Sequence, residues 1–170
     1  LGIETAIFER TPDSPAARLT PHSIVGQWDD DAALSSFASM CDVVTLENEF
    51  VDAGVLRRLE AMGLPVYPTS ATLAQVQDKL IQKQAMAAAG LPVPSFCAVQ
   101  SLDDVLAAAQ DFGYPCVLKA RRDGYDGYGN ATLRSSADVE TAWEKLAKGE
   151  RALYVEAFVP FIRELAVMIV

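Results

Sequence analysis

A glycine-rich segment in the second half of the chain combines residue types that suit an anionic ligand. It spans residues 119–130 and reads Lys-Ala-Arg-Arg-Asp-Gly-Tyr-Asp-Gly-Tyr-Gly-Asn. Glycine lets the backbone approach a ligand and turn its N–H groups toward it, while lysine and arginine add positive charge. This combination favours a polyphosphate, although an ordinary hairpin turn would also use glycine for its positive φ. The segment is not a Walker A loop, because it lacks the GxxxxGK[ST] pattern.

Two lysines and two carboxylates are further candidates for binding. Lys79 and Lys83 are one turn apart on a predicted helix and share a face, as a solvated surface pair would also do. Glu156 ends a predicted strand, and Glu164 follows the connector after it. One carboxylate could read an adenine edge and the other could hold ribose hydroxyls. The alternative is an edge-strand glutamate and a surface charge.

Four more residues can be given either a functional or a structural interpretation. Glu47 and Glu49 follow a predicted parallel strand, where α/β folds place ligands, but they could equally cap the next helix. Glu9 ends the first strand, as the ribose-binding acid of a dinucleotide fold does, although the supporting glycine-rich turn would lie before Leu1. His22 is the single histidine, and one histidine cannot make a metal site.

Composition excludes several classes of protein. The chain has 170 residues, of which 51% are hydrophobic and 22% are charged, so it can bury a core. Its net charge of −9 disfavours sequence-independent nucleic-acid binding. No apolar run reaches the roughly 18 residues that a membrane helix needs. Three scattered cysteines are typical of a reducing, cytoplasmic compartment.

Two patterns of elements must position these residues. Up to about residue 67, strands and helices alternate, which predicts a parallel sheet with crossover helices. The pattern then changes to one long helix over residues 73–89. Helix, strand, glycine-rich loop, strand, helix and strand follow and predict a small α+β module. Residues 163–170 alternate and then run apolar, as in a further strand.

Taken in order, these segments resemble the ATP-grasp family, and within it the 5-(carboxyamino)imidazole ribonucleotide synthases. The matching stretches are Thr45–Glu49, Asp78–Gln84, Gly90–Pro94, Val117–Lys119, Gly124–Gly129 and Glu156–Phe161 with Glu164. They span nearly the whole chain, and their order is as specific as any one of them. Tyr128 departs from the family, which often has Lys or Arg there, and Asn130 stands where Gln is usual.

The resemblance implies an α/β fold, with a truncated Rossmann-like parallel-sheet domain followed by an α+β ATP-grasp lid domain. Residues 1–72 would form the pre-ATP-grasp domain without its first strand, and residues 73–95 a helical connector. Residues 96–160 would form the lid subdomain, and residues 161–170 the start of the C-terminal subdomain. We therefore expect a fragment that is truncated at both ends.

The resemblance also implies which residues bind ATP. Lys79 and Lys119 would contact it, residues 124–130 would form a mobile lid over the β- and γ-phosphates, and Glu164 would hold the ribose. Residues 156–159 would be the hinge that hydrogen-bonds adenine. The full implied set is Lys79, Lys119, Gly124, Tyr125, Asp126, Gly127, Tyr128, Gly129, Asn130, Glu156, Ala157, Phe158, Val159 and Glu164. Glu47 and Glu49 are weaker candidates for substrate binding, and we expect the catalytic groups and metal ligands outside the chain.

The implied activity is ATP-dependent carboxylation of aminoimidazole ribonucleotide with bicarbonate, through carboxyphosphate, in purine biosynthesis. ATP and Mg²⁺ are the implied cofactors, and the partners are small molecules rather than nucleic acid or membrane. The full-length protein would be a cytoplasmic homodimer, and this chain alone would bind nucleotide weakly without turnover. Two alternatives remain: another ATP-grasp carboxylase or ligase, of the biotin carboxylase or formate-dependent transformylase type, and a non-catalytic nucleotide-binding module.

Overall fold

The structure is a computed structural model that describes residues 2–124, 128–147 and 151–167. The chain divides into two compact units, Leu1–Val76 and Gln77–Val170. The domain boundaries expected at residues 72, 95 and 160 stay predictions. Within the described ranges, no helix has both the length and the hydrophobicity of a membrane-spanning segment.

Strands and helices alternate in the first unit. The elements are β1 (Ala6–Glu9), β2 (His22–Val25), α1 (Asp31–Ala38), β3 (Val44–Thr45), α2 (Ala53–Ala61), β4 (Val66–Tyr67) and α3 (Ser70–Gln77), which reaches the division. β1 pairs with β2 and β3 pairs with β4, and both pairs are parallel, as predicted. Among the described residues they form two separate two-stranded sheets rather than one. Alternation along the chain predicts strand direction, but it does not determine which strands are neighbours.

Aromatic and aliphatic side chains from these elements form the core of the first unit. Phe8 stacks on Trp28 with ring centroids 5.5 Å apart and meets Phe37 edge-on at 5.7 Å. Leu34 of α1 and Leu56 of α2 are each 1% exposed in the same cluster. Full burial of one such side chain stabilises a fold by about 1.5–3 kcal/mol.

The second unit is built around a four-stranded antiparallel sheet. Its elements are α4 (Lys79–Ala88), β5 (Phe96–Val99), α5 (Leu102–Phe112), β6 (Cys116–Ala120), β7 (Asn130–Leu133), α6 (Val139–Leu146) and β8 (Leu153–Ala157). The strand order is β5-β8-β6-β7. The predicted helix α5 is confirmed, and Ser101 and Asp104 form its capping box. The sequence did not reveal β5, a four-residue strand that follows two prolines closely.

The two faces of this sheet carry different residues, because successive side chains of a strand point to opposite sides. Leu118, Leu153 and Val155 are fully buried in one core cluster with residues of α5 and α6. Lys119 and Glu156 alternate with these core positions and so lie on the other face. β8 is a central strand, so the alternative interpretation of Glu156 as an edge-strand residue is wrong.

The single helix predicted over residues 73–89 is also wrong, because the chain breaks at Asp78. This residue has extended backbone, with φ −109° and ψ 107°, and it caps α4. Its carboxylate accepts hydrogen bonds from the backbone N–H groups of Leu80 and Ile81, at 3.0 and 3.3 Å. Asp is among the preferred N-cap residues, and its short side chain competes with the continuing helix for these donors.

The strand predicted over residues 163–170 is not present in the described part of that segment, residues 163–167. A strand needs a hydrogen-bonded neighbour, and no described strand pairs with these residues. The remaining three positions lie outside the described residues. An alternating pattern alone therefore did not determine the structure here.

Candidate functional site

Glu156 is a buried carboxylate that is held between two lysines. The residue is 7% exposed on β8. Lys119 of β6 forms an ion pair with its Oε1, and Nζ of Lys83 from α4 lies 2.7 Å from its Oε2. Burial acts to raise the pKa of Glu156, but the contacts and charges of Lys119 and Lys83 outweigh it and lower that pKa. The carboxylate is therefore ionised at neutral pH, with one positive charge in excess around it.

Strand register brings Lys119 and Glu156 together. Lys119 lies opposite Tyr154 across the β6–β8 pair, and Glu156 is two residues further along β8 on the same face. Such diagonal neighbours are within reach of a long side chain. Tyr154 is 1% exposed, and burial, followed by the charges of Glu156 and Asp78, raises the pKa of its hydroxyl far above the ordinary value. The tyrosine is therefore neutral in this charged environment.

A second buried carboxylate, Asp78, joins the start of α4 to the end of β6. Arg121 donates to it from Nε at 3.0 and 3.1 Å and from Nη2 at 2.6 Å. The backbone N–H of Lys79 donates to the carbonyl of Arg121 at 2.8 Å. Burial acts to raise the pKa of Asp78, but the hydrogen bond from Arg121 and the backbone N–H groups lower it overall. Side-chain and backbone bonds thus fix α4 against the strand that carries Lys119.

Two glycines of the glycine-rich segment, Gly124 and Gly129, are bonded to residues beside this junction. Lys79 Nζ donates to the carbonyl of Gly124 at 3.1 Å, and the backbone N–H of Ala120 donates to the carbonyl of Gly129 at 2.7 Å. Gly129 has a φ of +92°, and a Cβ there would lie 3.0 Å from the Cα of Gly124. The backbones at Gly124 and Gly129 therefore approach each other more closely than a side chain at Gly129 would allow.

These contacts define a charged cluster of five cations and two carboxylates: Lys79, Lys83, Lys119, Arg121 and Arg122 with Asp78 and Glu156. The cluster has an excess of three positive charges, or two if the adjoining Asp123 is included. The whole chain has a net charge of −9, so this excess is a local reversal of sign. A concentrated positive charge beside closely packed backbone suits an anion with several oxygens.

The other described residues of the implied ATP-binding set lie on strands of the sheet that carries Lys119 and Glu156, or in the irregular segments that flank these strands. Asn130 begins β7 opposite Lys119, and Ala157 ends β8. Tyr128 is 71% exposed, and Phe158 and Val159 are about half exposed. Glu164 is exposed in irregular structure. The predicted residues Tyr125, Asp126 and Gly127 lie outside the described residues.

Glu47, one of the two acidic candidates of the first unit, takes part in local hydrogen bonding. Glu47 accepts a hydrogen bond from the side-chain amide of Asn48 at 2.5 Å, and Asn48 accepts from the backbone N–H of Phe50 at 2.9 Å. The cap of α2 is Asp52, so neither Glu47 nor Glu49 caps that helix. Their weaker assignment to substrate binding stays a prediction.

Lys83 was a candidate beside Lys79, but the resemblance did not include it in the implied ATP-binding set. A signal was available, because α4 contains no acidic residue that could pair with its two lysines. The guanidinium of Arg121 is bound to Asp78, so it is not available as a substitute for a cation at position 128. Arg122 is less engaged, since its Nε is 3.7 Å from Asp78 and its side chain is 53% exposed.

Metal binding has no support within the described ranges. No group of three or more histidine, cysteine, aspartate or glutamate residues there could hold a metal ion. The three cysteines are free thiols, and two of them, Cys41 and Cys97, are half-buried. The chemistry that the described site offers is therefore charge neutralisation and hydrogen bonding.

Solved structures of known proteins share this fold over nearly all of the chain. An N5-carboxyaminoimidazole ribonucleotide synthetase in complex with ADP superposes with a TM-score of 0.83 and 36% identity, over 94% of this chain and 41% of that one. The synthetase from Thermus thermophilus has a TM-score of 0.81 and 33% identity, over 95% of this chain and 42% of that one.

Sequence comparison points to the same group of proteins. The N5-carboxyaminoimidazole ribonucleotide synthase of Synechococcus elongatus is 38% identical over 169 residues, which are 99% of this chain and 42% of that protein. The chloroplastic phosphoribosylaminoimidazole carboxylase of Vigna aconitifolia is 34% identical over 99% of this chain and 30% of that protein. The chain thus spans about two fifths or less of these relatives.

Two domain families match adjoining parts of the chain. The ribonucleotide synthetase preATP-grasp domain matches residues 1–77, and the ATP-grasp domain matches residues 84–170. The second match covers just over half of the chain and contains Lys119, Glu156 and the glycine-rich segment. The chain therefore belongs to the ATP-grasp family.

Proposed function

We propose that this chain is the nucleotide-binding part of an ATP-dependent carboxylase. The enzyme would carboxylate 5-aminoimidazole ribonucleotide with bicarbonate and give 5-(carboxyamino)imidazole ribonucleotide, ADP and phosphate. The observation that carries the proposal is the charged cluster, which concentrates positive charge beside a glycine-rich segment in an acidic chain. The choice of substrate is supported by a relative from Aspergillus clavatus, solved with ADP and 5-aminoimidazole ribonucleotide, which superposes with a TM-score of 0.81 and 26% identity.

The proposed reaction needs charge stabilisation more than covalent chemistry from the protein. Bicarbonate oxygen attacks the γ-phosphorus of ATP, ADP leaves, and the product is carboxyphosphate. The exocyclic amine of the ribonucleotide then takes the carboxyl group, and phosphate leaves. Negative charge is spread over phosphate oxygens in the first step, so positioned cations and backbone N–H groups lower its barrier.

The residues of the cluster have distinct roles in this proposal. Lys79 and Lys119 would neutralise phosphate charge. Lys119 lies on the face of the sheet away from the core, and the ammonium of Lys79 reaches the carbonyl of Gly124 in the glycine-rich segment. Gly124 and Gly129 bring backbone close to the phosphates. Residues 156–159 would contact adenine through backbone groups after the end of β8, and Glu164 would hold the ribose.

Mg²⁺ accompanies ATP in the proposed reaction and would neutralise part of the phosphate charge. The described residues do not offer a fitting set of ligands. The protein would also be cytoplasmic, and its free cysteines support that location. It would form a homodimer, which sedimentation of the complete protein tests.

A nucleotide-binding module without catalysis is the second candidate, and Tyr128 favours it. Related loops often have a cation at this position, whereas this chain has a neutral side chain that is 71% exposed. A module of this kind would bind ATP in the same cluster without forming ADP. A biotin-carboxylase-type enzyme has weaker support, because the biotin carboxylase domain of a 2-oxoglutarate carboxylase is only 18% identical and shows the fold alone.

The decisive experiment measures ADP formation by the protein encoded by the complete gene. We expect ADP release that requires both bicarbonate and 5-aminoimidazole ribonucleotide, and a loss of at least about tenfold in Lys119→Met. Lys145→Met is the matched control, because Lys145 is exposed on α6, a helix that packs on the face of the sheet opposite Lys119. ATP binding without substrate-dependent ADP release would favour the non-catalytic module, and the absence of both would refute the proposal.

A further inference from the structure

One buried carboxylate in this site has two cationic partners, although one would neutralise it. Lys83 and Lys119 approach different oxygens of Glu156 from different elements, α4 and β6. Oε2 is fully buried and has no hydrogen-bond partner in the described part of the chain. Its charge is compensated through the ion pair with Lys83. The duplication therefore needs an explanation beyond the neutralisation of a single charge.

The two lysines differ in their freedom to move. The side chain of Lys119 is 28% exposed, and its strand leads directly into the glycine-rich segment. The side chain of Lys83 is 18% exposed, and the N-terminus of its helix is fixed by the bonds between Asp78 and Arg121. Lys119 is therefore the cation that can turn toward a ligand, and Lys83 is the one that stays.

We propose that Lys83 is a positioning residue that holds Glu156 as a paired carboxylate while Lys119 turns to the phosphates of a bound nucleotide. This inference rests on the proposed nucleotide site. With Lys83 present, nucleotide binding exchanges one partner of Lys119 for another, and Glu156 keeps a counter-ion. Without Lys83, the same movement would leave a buried carboxylate unpaired, which is strongly unfavourable.

The inference makes Lys83 important only when Glu156 carries a charge. A lysine that touched the nucleotide directly would be needed whether or not Glu156 is ionised. A thermodynamic cycle over the two residues separates these cases, because it measures the effect of Lys83→Met in the presence and absence of the Glu156 carboxylate. Glu156→Gln removes that charge while it keeps the size of the side chain and its capacity for hydrogen bonds.

The test is the affinity for ADP, measured by calorimetry on the protein encoded by the complete gene. We expect Lys83→Met to weaken binding about tenfold and Lys83→Arg to restore most of it, since arginine preserves the charge. In the Glu156→Gln background, Lys83→Met should change the affinity less than about twofold. Lys145→Met is again the matched control and should bind ADP as the unsubstituted protein does.

Each outcome distinguishes the inference from the proposed function. If the unsubstituted protein does not bind ADP, both are refuted. If it binds ADP and Lys83→Met binds equally well, the inference alone is wrong. An equal loss with and without the Glu156 carboxylate would also overturn it, because Lys83 would then act independently of Glu156. The comparison within the Glu156→Gln background still decides the matter if Lys83→Met alone fails to fold, because in that background no buried carboxylate is left unpaired.

Discussion

The carboxylate of Asp78 both caps a helix and receives a two-pronged guanidinium from Arg121, a residue 43 positions away. Arg121 also accepts a hydrogen bond at its carbonyl from the backbone N–H of Lys79. Through these bonds, one residue fixes where α4 begins and how it lies against the end of β6. The positions of Lys79 and Lys83 relative to Lys119 depend on this junction.

Removal of the Asp78 carboxylate should destabilise the second unit strongly. We expect Asp78→Ala to lower the free energy of unfolding by about 3–5 kcal/mol, because the cap is lost and Arg121 loses its buried counter-ion. Asp78→Asn should cost less, since an amide oxygen can still cap the helix. Urea unfolding measures both changes, with Glu140→Gln on the exposed side of α6 as the control. An effect of Asp78→Ala no larger than that of the control would contradict this role.

Acid should destabilise the second unit through Asp78 and Glu156. The pKa of each carboxyl is lowered in the folded protein, so each contributes stability that is present above its unfolded pKa. That contribution is lost as the pH falls below about 4 and through the lowered values. We expect the free energy of unfolding to be nearly constant from about pH 6 to 7 and to fall steeply under more acidic conditions.

Urea titrations between pH 3 and 7 measure this dependence. The acid-induced loss should be smaller in Glu156→Gln, because that variant has one carboxylate fewer to protonate. A curve with the same slope in the variant and in the unsubstituted protein would show that Glu156 does not contribute. Glu140→Gln again provides a control, since Glu140 is exposed on α6.

Local signals allowed part of this structure to be predicted. The spacing of Ser101 and Asp104 is that of a capping box, which is a local signal, and the structure has that box at the start of α5. The break at Asp78 was not predicted, because good helix formers on both sides favour one continuous helix and the competing bonds come partly from Arg121. Local propensity could not include a partner so distant along the chain.

For the candidate site, too, the sequence allowed the local features to be predicted but not the contacts between distant residues. The glycine-rich segment and Lys119 were visible as a pattern of residue types. The ion pairs of Glu156 were not, because they depend on the register of β6 and β8 and on the placement of α4. Lys83 was therefore left out of the implied ATP-binding set, although it shares a helix face with Lys79.

A side chain at Gly129 should disturb both the fold and nucleotide binding. Its φ is +92°, and a Cβ would lie 3.0 Å from the backbone of Gly124. Gly90 is a matched control, because its φ of +75° imposes a similar backbone strain, but nothing lies within 4 Å of its Cβ position. We expect both alanine variants to lose about 1 kcal/mol of stability from backbone strain, and Gly129→Ala to lose more.

Nucleotide affinity separates the two glycines further. Gly129→Ala should weaken ADP binding, because the close approach of the backbones at Gly124 and Gly129 would be lost. Gly90→Ala should leave it unchanged. If both variants lost the same stability and retained full affinity, the crowding at Gly129 would have no functional consequence.

A cation at position 128 should strengthen nucleotide binding. Tyr128 is 71% exposed beside Gly129, so a lysine side chain, which has a similar reach, fits there without displacing core residues. We expect Tyr128→Lys to increase the affinity for ATP by about 1.4- to 5-fold at low salt, because an exposed charge pair contributes about 0.2–1 kcal/mol. The gain should shrink as salt screens the added charge.

The control for this prediction adds the same charge elsewhere. Thr141→Lys places a lysine at an exposed position of α6, a helix that packs on the face of the sheet opposite the charged cluster. Calorimetric titration of ATP into both variants at low and high salt separates a local effect from a change in net charge. Equal gains in the two variants would attribute the effect to net charge alone. A gain only in Tyr128→Lys would identify the neutral residue at position 128 as a local limit on phosphate binding.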